Sequence, residues 1–174
     1  MELELCDNLR SLLEQELKNI VLPTRGPDIE HDGQLRSLKI FDSYLPVKQE
    51  DSEDPYPFVI VRATSSATDE QILEINVSMF VGTYAKDSAG FRDALNVVSA
   101  IRNSILPFTQ SALANKFHLM PEIKWDTLDD QPWPYWQMEI KTKWSLDFPI
   151  CRPAMFPNGK SGDYEKSLRK ALYG

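Results

Sequence analysis

Two groups of carboxylates are the side chains in this sequence most suited to chemistry. Grouped carboxylate oxygens are the ligands that Mg²⁺ and Ca²⁺ prefer in proteins, so either group would suit a metal-dependent enzyme of nucleic-acid processing. The first run lacks the glycine and the distal glutamate of an EF-hand loop. Acidic residues are also typical of exposed turns, which is the interpretation that we favour for both. The groups comprise Glu50, Asp51, Glu53 and Asp54, and then Asp126, Asp129 and Asp130.

Other catalytic arrangements have less support from the residues. Lys124 lies two residues before Asp126, as in some nuclease centres, but strand alternation would place both on a polar face. Neither His31 nor His118 belongs to a recognisable motif with a serine or cysteine, and the pattern GxSxG is absent. We therefore predict no catalytic centre, no bound metal and no cofactor.

Aromatic residues are concentrated in the stretch DDQPWPYWQMEIKTKW, residues 129–144, which holds three of the four tryptophans. A stacking platform for nucleic acid needs exposed rings beside cations, whereas Asp129 and Asp130 would repel phosphate. Strand alternation places Trp136 and Trp144 in the core. Trp133 and Tyr135 precede that pattern and face away, which suggests a protein interface, for instance that of a cytoplasmic adaptor.

The overall charge argues against nucleic-acid binding. The chain of 174 residues has a formal net charge of −7 and a pI of about 4.9. Its nearest approach to a basic cluster comprises Lys166, Arg169 and Lys170 on a short predicted C-terminal helix, 164–172. No apolar run is long enough to span a membrane, and the N-terminus does not resemble a signal peptide, so we expect synthesis in the cytoplasm.

Hydrophobic periodicity predicts an α+β fold. Spacings of three and four indicate a helix over 3–21, ended by Pro23, and a second helix from Asp87 or Ser88 to Ile105. We expect a mostly antiparallel sheet of about five strands with helices packed on one face, and a turn over 64–71. Residues 1–149 form one domain, and 150–174 form a linker and a short helix. The predicted strands cover 38–44, 57–63, 73–81, 117–125 and 136–148, with Pro121 marking an edge or a bulge.

Three stretches together resemble the tail terminator, or tail-completion, family of long-tailed bacteriophages. They are PFVIVR at 57–62, VGTYAKDSAGFRDALNVVSAIRNSIL at 81–106 and DQPWPYWQMEIKTKW at 130–144. The resemblance covers residues 36–149, and its motifs describe core and turns. It implies an α+β structural protein of phages or prophages, without a cofactor or catalytic residues. The segment from Cys151 to Gly174 lies beyond the usual family core.

The resemblance also implies the partners. Such a protein forms a homo-oligomer, a hexameric ring at the head-proximal end of the virion tail, where it ends tube polymerisation and presents the head-joining surface. Its partners are then itself, the tail-tube protein and a head-completion protein, with no membrane, while DNA passes through the lumen without specific binding. Ring closure needs two different patches, and opposite charges on them would order the ring. The candidate interface residues form three patches: Glu50, Asp51, Glu53 and Asp54 in the acidic loop, Asp129, Asp130, Trp133 and Tyr135 in the turn at 126–135, and Lys166, Arg169 and Lys170 in the C-terminal tail.

Overall fold

The computed structural model of the protein describes residues 1–26, 30–46, 54–69, 72–129 and 131–147. The predicted C-terminal linker and helix, 150–174, lie outside the described residues. The same holds for seven candidate interface residues: Glu50, Asp51, Glu53, Asp130, Lys166, Arg169 and Lys170. The predictions made for these positions remain predictions.

The described elements follow an α+β order, as predicted. Two helices, one short 3-10 helix and seven strands alternate irregularly along the chain. In chain order they are α1 (Glu2–Glu16), β1 (Val21–Pro23), β2 (Leu35–Ser37), β3 (Lys39–Asp42), β4 (Phe58–Asp69), β5 (Ile72–Tyr84), α2 (Ala89–Ile105), the 3-10 helix (Leu106–Thr109), β6 (His118–Thr127) and β7 (Tyr135–Asp147).

Five of the strands form one mixed sheet in the order β3-β4-β5-β7-β6. Only the β3–β4 pair is parallel, and the other three pairs are antiparallel. The prediction of a mostly antiparallel sheet of about five strands is therefore confirmed. The short strands β1 and β2 pair separately as a two-stranded antiparallel sheet.

Alternation along β5 and β7 builds the main hydrophobic core. Odd-numbered residues of β5, such as Val77 and Met79, lie opposite even-numbered residues of β7, such as Ile140. These residues join one buried cluster with Leu9 of α1 and Ile101 of α2. A period of two along both strands thus places the apolar residues of β5 and β7 on one face of the sheet.

Trp144 is the largest side chain in this core, and it has no exposed surface. Its indole N–H donates to Thr142 Oγ1 at 3.0 Å, and that hydroxyl donates to the Val77 carbonyl at 3.1 Å. The polar edge of a buried ring is therefore satisfied within the sheet. The predicted core position is confirmed for Trp144, whereas Trp136, predicted with it, is only half-buried and donates its indole N–H to the Ala85 carbonyl at 3.1 Å.

The predicted ends of two elements were wrong. Helix α1 stops at Glu16 rather than continuing to residue 21, because Val21–Pro23 instead pairs with Leu35–Ser37. The predicted turn at 64–71 is largely strand, because β4 continues to Asp69 in register with β5. A bulge between Ala63 and Ser65 accommodates the extra residue. Because this part of the strand consists mostly of threonine and serine, it shows no alternation of apolar and polar residues.

Other local predictions hold. Asp87 Oδ1 accepts the Ala89 amide at 2.9 Å at the start of α2. Strand β6 is an edge strand and carries an irregular register between Leu119 and Ile123, where Pro121 lies. Both outcomes that proline suggested, an edge and a bulge, therefore occur together.

Replacing Trp144 by alanine should lower the free energy of unfolding by about 3–5 kcal/mol, because it leaves a large cavity in the core. Urea denaturation measures this change. Trp133→Ala is the matched control: that ring is 66 % exposed, so its removal should alter the value by no more than about 0.5 kcal/mol. Equal losses for the two variants would contradict the assignment of Trp144 to the core.

Candidate protein interface

Three tyrosines cluster at one end of the sheet, on the face opposite the main core. Tyr84 ends β5, Tyr135 begins β7 directly opposite it, and Tyr56 precedes β4. The Tyr135 ring centroid lies 4.4 Å from that of Tyr56 and 5.6 Å from that of Tyr84. Gly82 makes room for this packing, since a Cβ there would come within 2.5 Å of the Phe58 ring. We call these residues and their polar neighbours the tyrosine end.

The Tyr135 hydroxyl joins two distant parts of the chain. It accepts a hydrogen bond from Arg25 Nη1 at 2.9 Å and donates one to Asp54 Oδ2 at 3.0 Å. Asp54 Oδ1 accepts the Tyr56 amide at 3.0 Å, so both carboxylate oxygens are used. Burial, the largest effect, raises the pKa of Tyr135, and the hydroxyl therefore stays protonated at neutral pH.

A second polar group lies beside the first. Tyr84 donates its hydroxyl hydrogen to Asp32 Oδ1 at 2.7 Å, and Lys86 forms an ion pair with the other oxygen of Asp32. The bond from Lys86, followed by that from Tyr84, holds the pKa of Asp32 below its usual value. Asp32 thus fastens the segment after β1 to the end of β5.

The turn that enters β7 is braced from inside by Gln131. Its amide nitrogen donates to the Leu128 carbonyl at 2.6 Å and to the Gln137 carbonyl at 2.8 Å. Its amide oxygen accepts the Gln137 amide at 2.7 Å. Trp133 and Asp129 lie exposed on this fixed turn.

The structure brings together part of the predicted interface. Asp54, from the end of the acidic run, and Tyr135, from the aromatic stretch, are directly bonded although 81 residues separate them. Tyr135 is half-buried by its cluster, whereas Trp133 is 66 % exposed. Of the two rings proposed from the sequence, Trp133 is therefore the one that a partner can cover.

Farther along the same sheet face, charged side chains form ion pairs with one another. Asp126, the candidate metal ligand, pairs with Lys141 at 3.1 Å, and Lys141 also contacts Glu139 at 3.3 Å. Lys124 pairs with Glu122 at 2.6 Å instead of with Asp126. Glu122, Lys124, Glu139 and Lys141, but not Asp126, line part of a groove of about 470 Å³. In the described ranges, no three His, Cys, Asp or Glu residues are grouped to hold a metal ion.

Sequence reasoning missed Arg25, Asp32 and Lys86. No pattern links them, because their partners lie far away in the chain and meet only after the sheet forms. One signal was present in β4, where the apolar run at 58–61 is continuous rather than alternating. Such a run indicates burial on both faces, and the second face is the tyrosine end.

No protein-family model matches the chain, and neither does any curated protein. No helix in the described part of the chain is long and apolar enough to cross a membrane.

Replacing Asp32 by asparagine should lower the melting temperature at pH 7. The folded-state pKa of Asp32 lies below its unfolded value, so the stabilisation is complete above about pH 4 and is lost as pH falls through the folded pKa. Melting curves from pH 7 to pH 2 should therefore show the wild type and Asp32→Asn converging at low pH. A constant difference across this range would contradict the ionised bridge to Lys86 and Tyr84.

Proposed function

We propose that the protein is a tail terminator of a long-tailed phage or prophage. Copies assemble as a ring on the head-proximal end of the tail tube, end its polymerisation and form the surface that joins the head. The ring size that the family resemblance implies is six. DNA passes through the lumen without specific binding, which an acidic chain with net charge −7 favours.

The fold is compatible with this proposal. The three stretches that carry the resemblance span the start of β4, the passage from β5 into α2, and the turn into β7. We take both helices to pack on one face of the sheet, since α1 and α2 contribute to the same buried cluster. The opposite face and the outer edge of β4 are then available for contacts between copies.

The observation that carries the proposal is the direct bond between Tyr135 and Asp54. It unites two of the three patches predicted to form the interface into one surface, with exposed Trp133 beside them. A large exposed ring on a braced turn is typical of an interface residue that contributes strongly to binding. The third patch, with Lys166, Arg169 and Lys170, lies outside the described residues and supplies the opposite charge in this proposal.

An adaptor function is the second candidate, and it uses the same exposed Trp133. An adaptor would bind a partner through this ring but would leave tail tubes unchanged. A metal-dependent enzyme has less support, because Asp126 is paired with Lys141. The length of assembled tubes therefore separates the candidates.

Purified protein mixed with the tail-tube protein of the same phage or prophage should yield capped tubes of uniform length in negative-stain micrographs. Trp133→Ala should raise the concentration needed for capping at least about tenfold, because it removes the proposed central contact. Trp125→Ala is the matched control: that ring is 45 % exposed but lies on the edge strand β6, so capping should be retained. Unaltered tubes at every wild-type concentration would refute termination.

The electrostatic part of the proposal has its own test. Reversing Glu53 and Asp54 to lysine addresses the acidic patch, but Asp54 also holds Tyr135 and the Tyr56 amide. Asp129→Lys is cleaner, since Asp129 is exposed on the turn. It should weaken capping at about 50 mM salt and have a smaller effect at about 500 mM, where the Debye length is short.

Glu16→Lys, an equal charge change at the exposed end of α1, is the control and should leave capping unchanged. An equal effect from both substitutions, or an effect of Asp129→Lys that does not vary with salt, would overturn the idea that patch charges order the ring.

A further inference from the structure

Among the described residues, no strand pairs with the outer edge of β4 along its second half. Strand β3 pairs with β4 only from Phe58 to Val61, and the last backbone bond on that side joins the Ser43 amide to the Val61 carbonyl. Beyond this point no strand within the described ranges lies alongside the outer side of β4. Residues 64–69 are all exposed, although α1 touches the strand where Ser66 Oγ donates to Glu2 Oε1 at 2.7 Å.

This open edge differs from the other edge of the sheet. Strand β6 carries features that block the addition of another strand: Pro121 lacks an amide donor, Lys124 is charged, and the register is irregular. The sequence TSSATD at 64–69 has no proline, no lysine and a single carboxylate, Asp69, at its end. An unprotected edge of small and β-branched residues is a site for an added strand.

The C-terminal segment begins at the same end of the sheet. Asp147, the last residue of β7, pairs with Ile72, and Ile72 pairs in turn with Asp69 of β4. Residues 148–174 follow this point. They therefore begin at the same end of the sheet as the second half of β4 and provide a segment long enough to pair with a neighbouring molecule.

The spacing of prolines in this segment fits an edge strand. Pro149, Pro153 and Pro157 are four residues apart and so have the same parity. In an added strand, residues of one parity direct their amides to the neighbour, and those of the other parity direct them to solvent. All three prolines can face solvent while 150, 152, 154 and 156 bond to β4.

We propose that residues 149–157 of one copy add as a strand to the open edge of β4, residues 64–69, in a second copy. The inference rests on the proposed function, and it identifies this strand addition as the contact between neighbouring subunits of the ring. Because the donor segment and the acceptor edge are different surfaces, the contact is heterologous and continues from copy to copy until the ring closes.

Docking within one chain is less favourable. To reach the outer edge of β4 from β7, the segment must cross three strand spacings, about 14 Å. About four extended residues are needed for that distance, so nearly half of the proline-spaced stretch would be used before pairing began. A second copy, placed beside the edge, can pair with the whole stretch.

Native Cys151 lies within the segment and allows a direct test. In a Cys6→Ala background, Thr68→Cys and, separately, Ser65→Cys place a thiol on each face of the β4 edge. Oxidation of the assembled protein should link chains into multimers on a non-reducing gel for at least one of them. The bands should disappear when Cys151 is also replaced by alanine.

Lys124→Cys, on the protected edge β6, is the control and should not form multimers. The proposed strand addition between copies would be overturned by any one of three results. These are a cross-link confined to single chains, no cross-link at either β4 position, or equal multimers from Lys124→Cys.

Two proline variants test the pairing without altering a cysteine. Ala154→Pro puts a proline on the bonding parity and should reduce capping and multimer formation at least about tenfold, whereas Met155→Pro keeps the existing parity and should be tolerated. Full capping by Ala154→Pro would overturn the proposed strand addition between copies and leave the proposed tail-terminator function intact. If wild-type protein never caps tubes, the proposed function is refuted. The cross-linking result still shows whether residues 149–157 pair with β4 of a second copy.

Discussion

The pairing of β5 with β7 is the constraint on which the rest of the fold depends. Thirteen residues of each strand are in unbroken register, from Ile72↔Asp147 to Tyr84↔Tyr135. Because side chains alternate between faces, this single register assigns every residue of both strands to the helix-covered core or to the opposite face. A slip by one residue would bring Trp144 out of the core and lysines into it. The large apolar area buried on one face keeps that slip from occurring.

The face opposite the core is divided along its length. At the tyrosine end, rings pack together and their hydroxyls are held by Asp54, Asp32 and Arg25. Farther along, Arg62 lies between the rings of Tyr44 and Phe80, with its guanidinium carbon 4.4 and 5.1 Å from their centroids. Beyond it the face becomes a lattice of surface ion pairs. Polarity therefore increases away from the aromatic cluster, and the loops that meet that cluster determine where the face is covered.

Much of the fold could be predicted from the sequence because alternation is strong where burial is one-sided. Most ends of strand β7 and helix α2 were predicted to within about a residue. The position of Trp144 in the core was also predicted correctly. The second half of β4 escaped prediction because its residues are held by pairing with β5 rather than by burial. The pair β1–β2 escaped because three residues are too few to show a period.

The candidate site was less predictable than the fold. Strand parity places Tyr135 away from the main core, but it contains no information about a second cluster on the other face. The bond from Arg25 to Tyr135 joins residues that are 110 positions apart, and it depends on both the sheet and the segment after β1. Exposure on a turn, by contrast, is a local property, and Trp133 could be identified from the prolines around it.

The lattice of ion pairs determines how this sequence can diverge. The pairs Lys143–Glu74 and Lys141–Asp126 lie at the surface and contribute little to stability, so one partner can change if the other changes with it. Among diverged relatives, positions 74 and 143, and likewise 126 and 141, should therefore exchange their charges together. Gly82 has no such freedom, since any Cβ would collide with Phe58. On one face of the sheet, charged positions should therefore change in pairs during evolution, whereas Gly82 should not change.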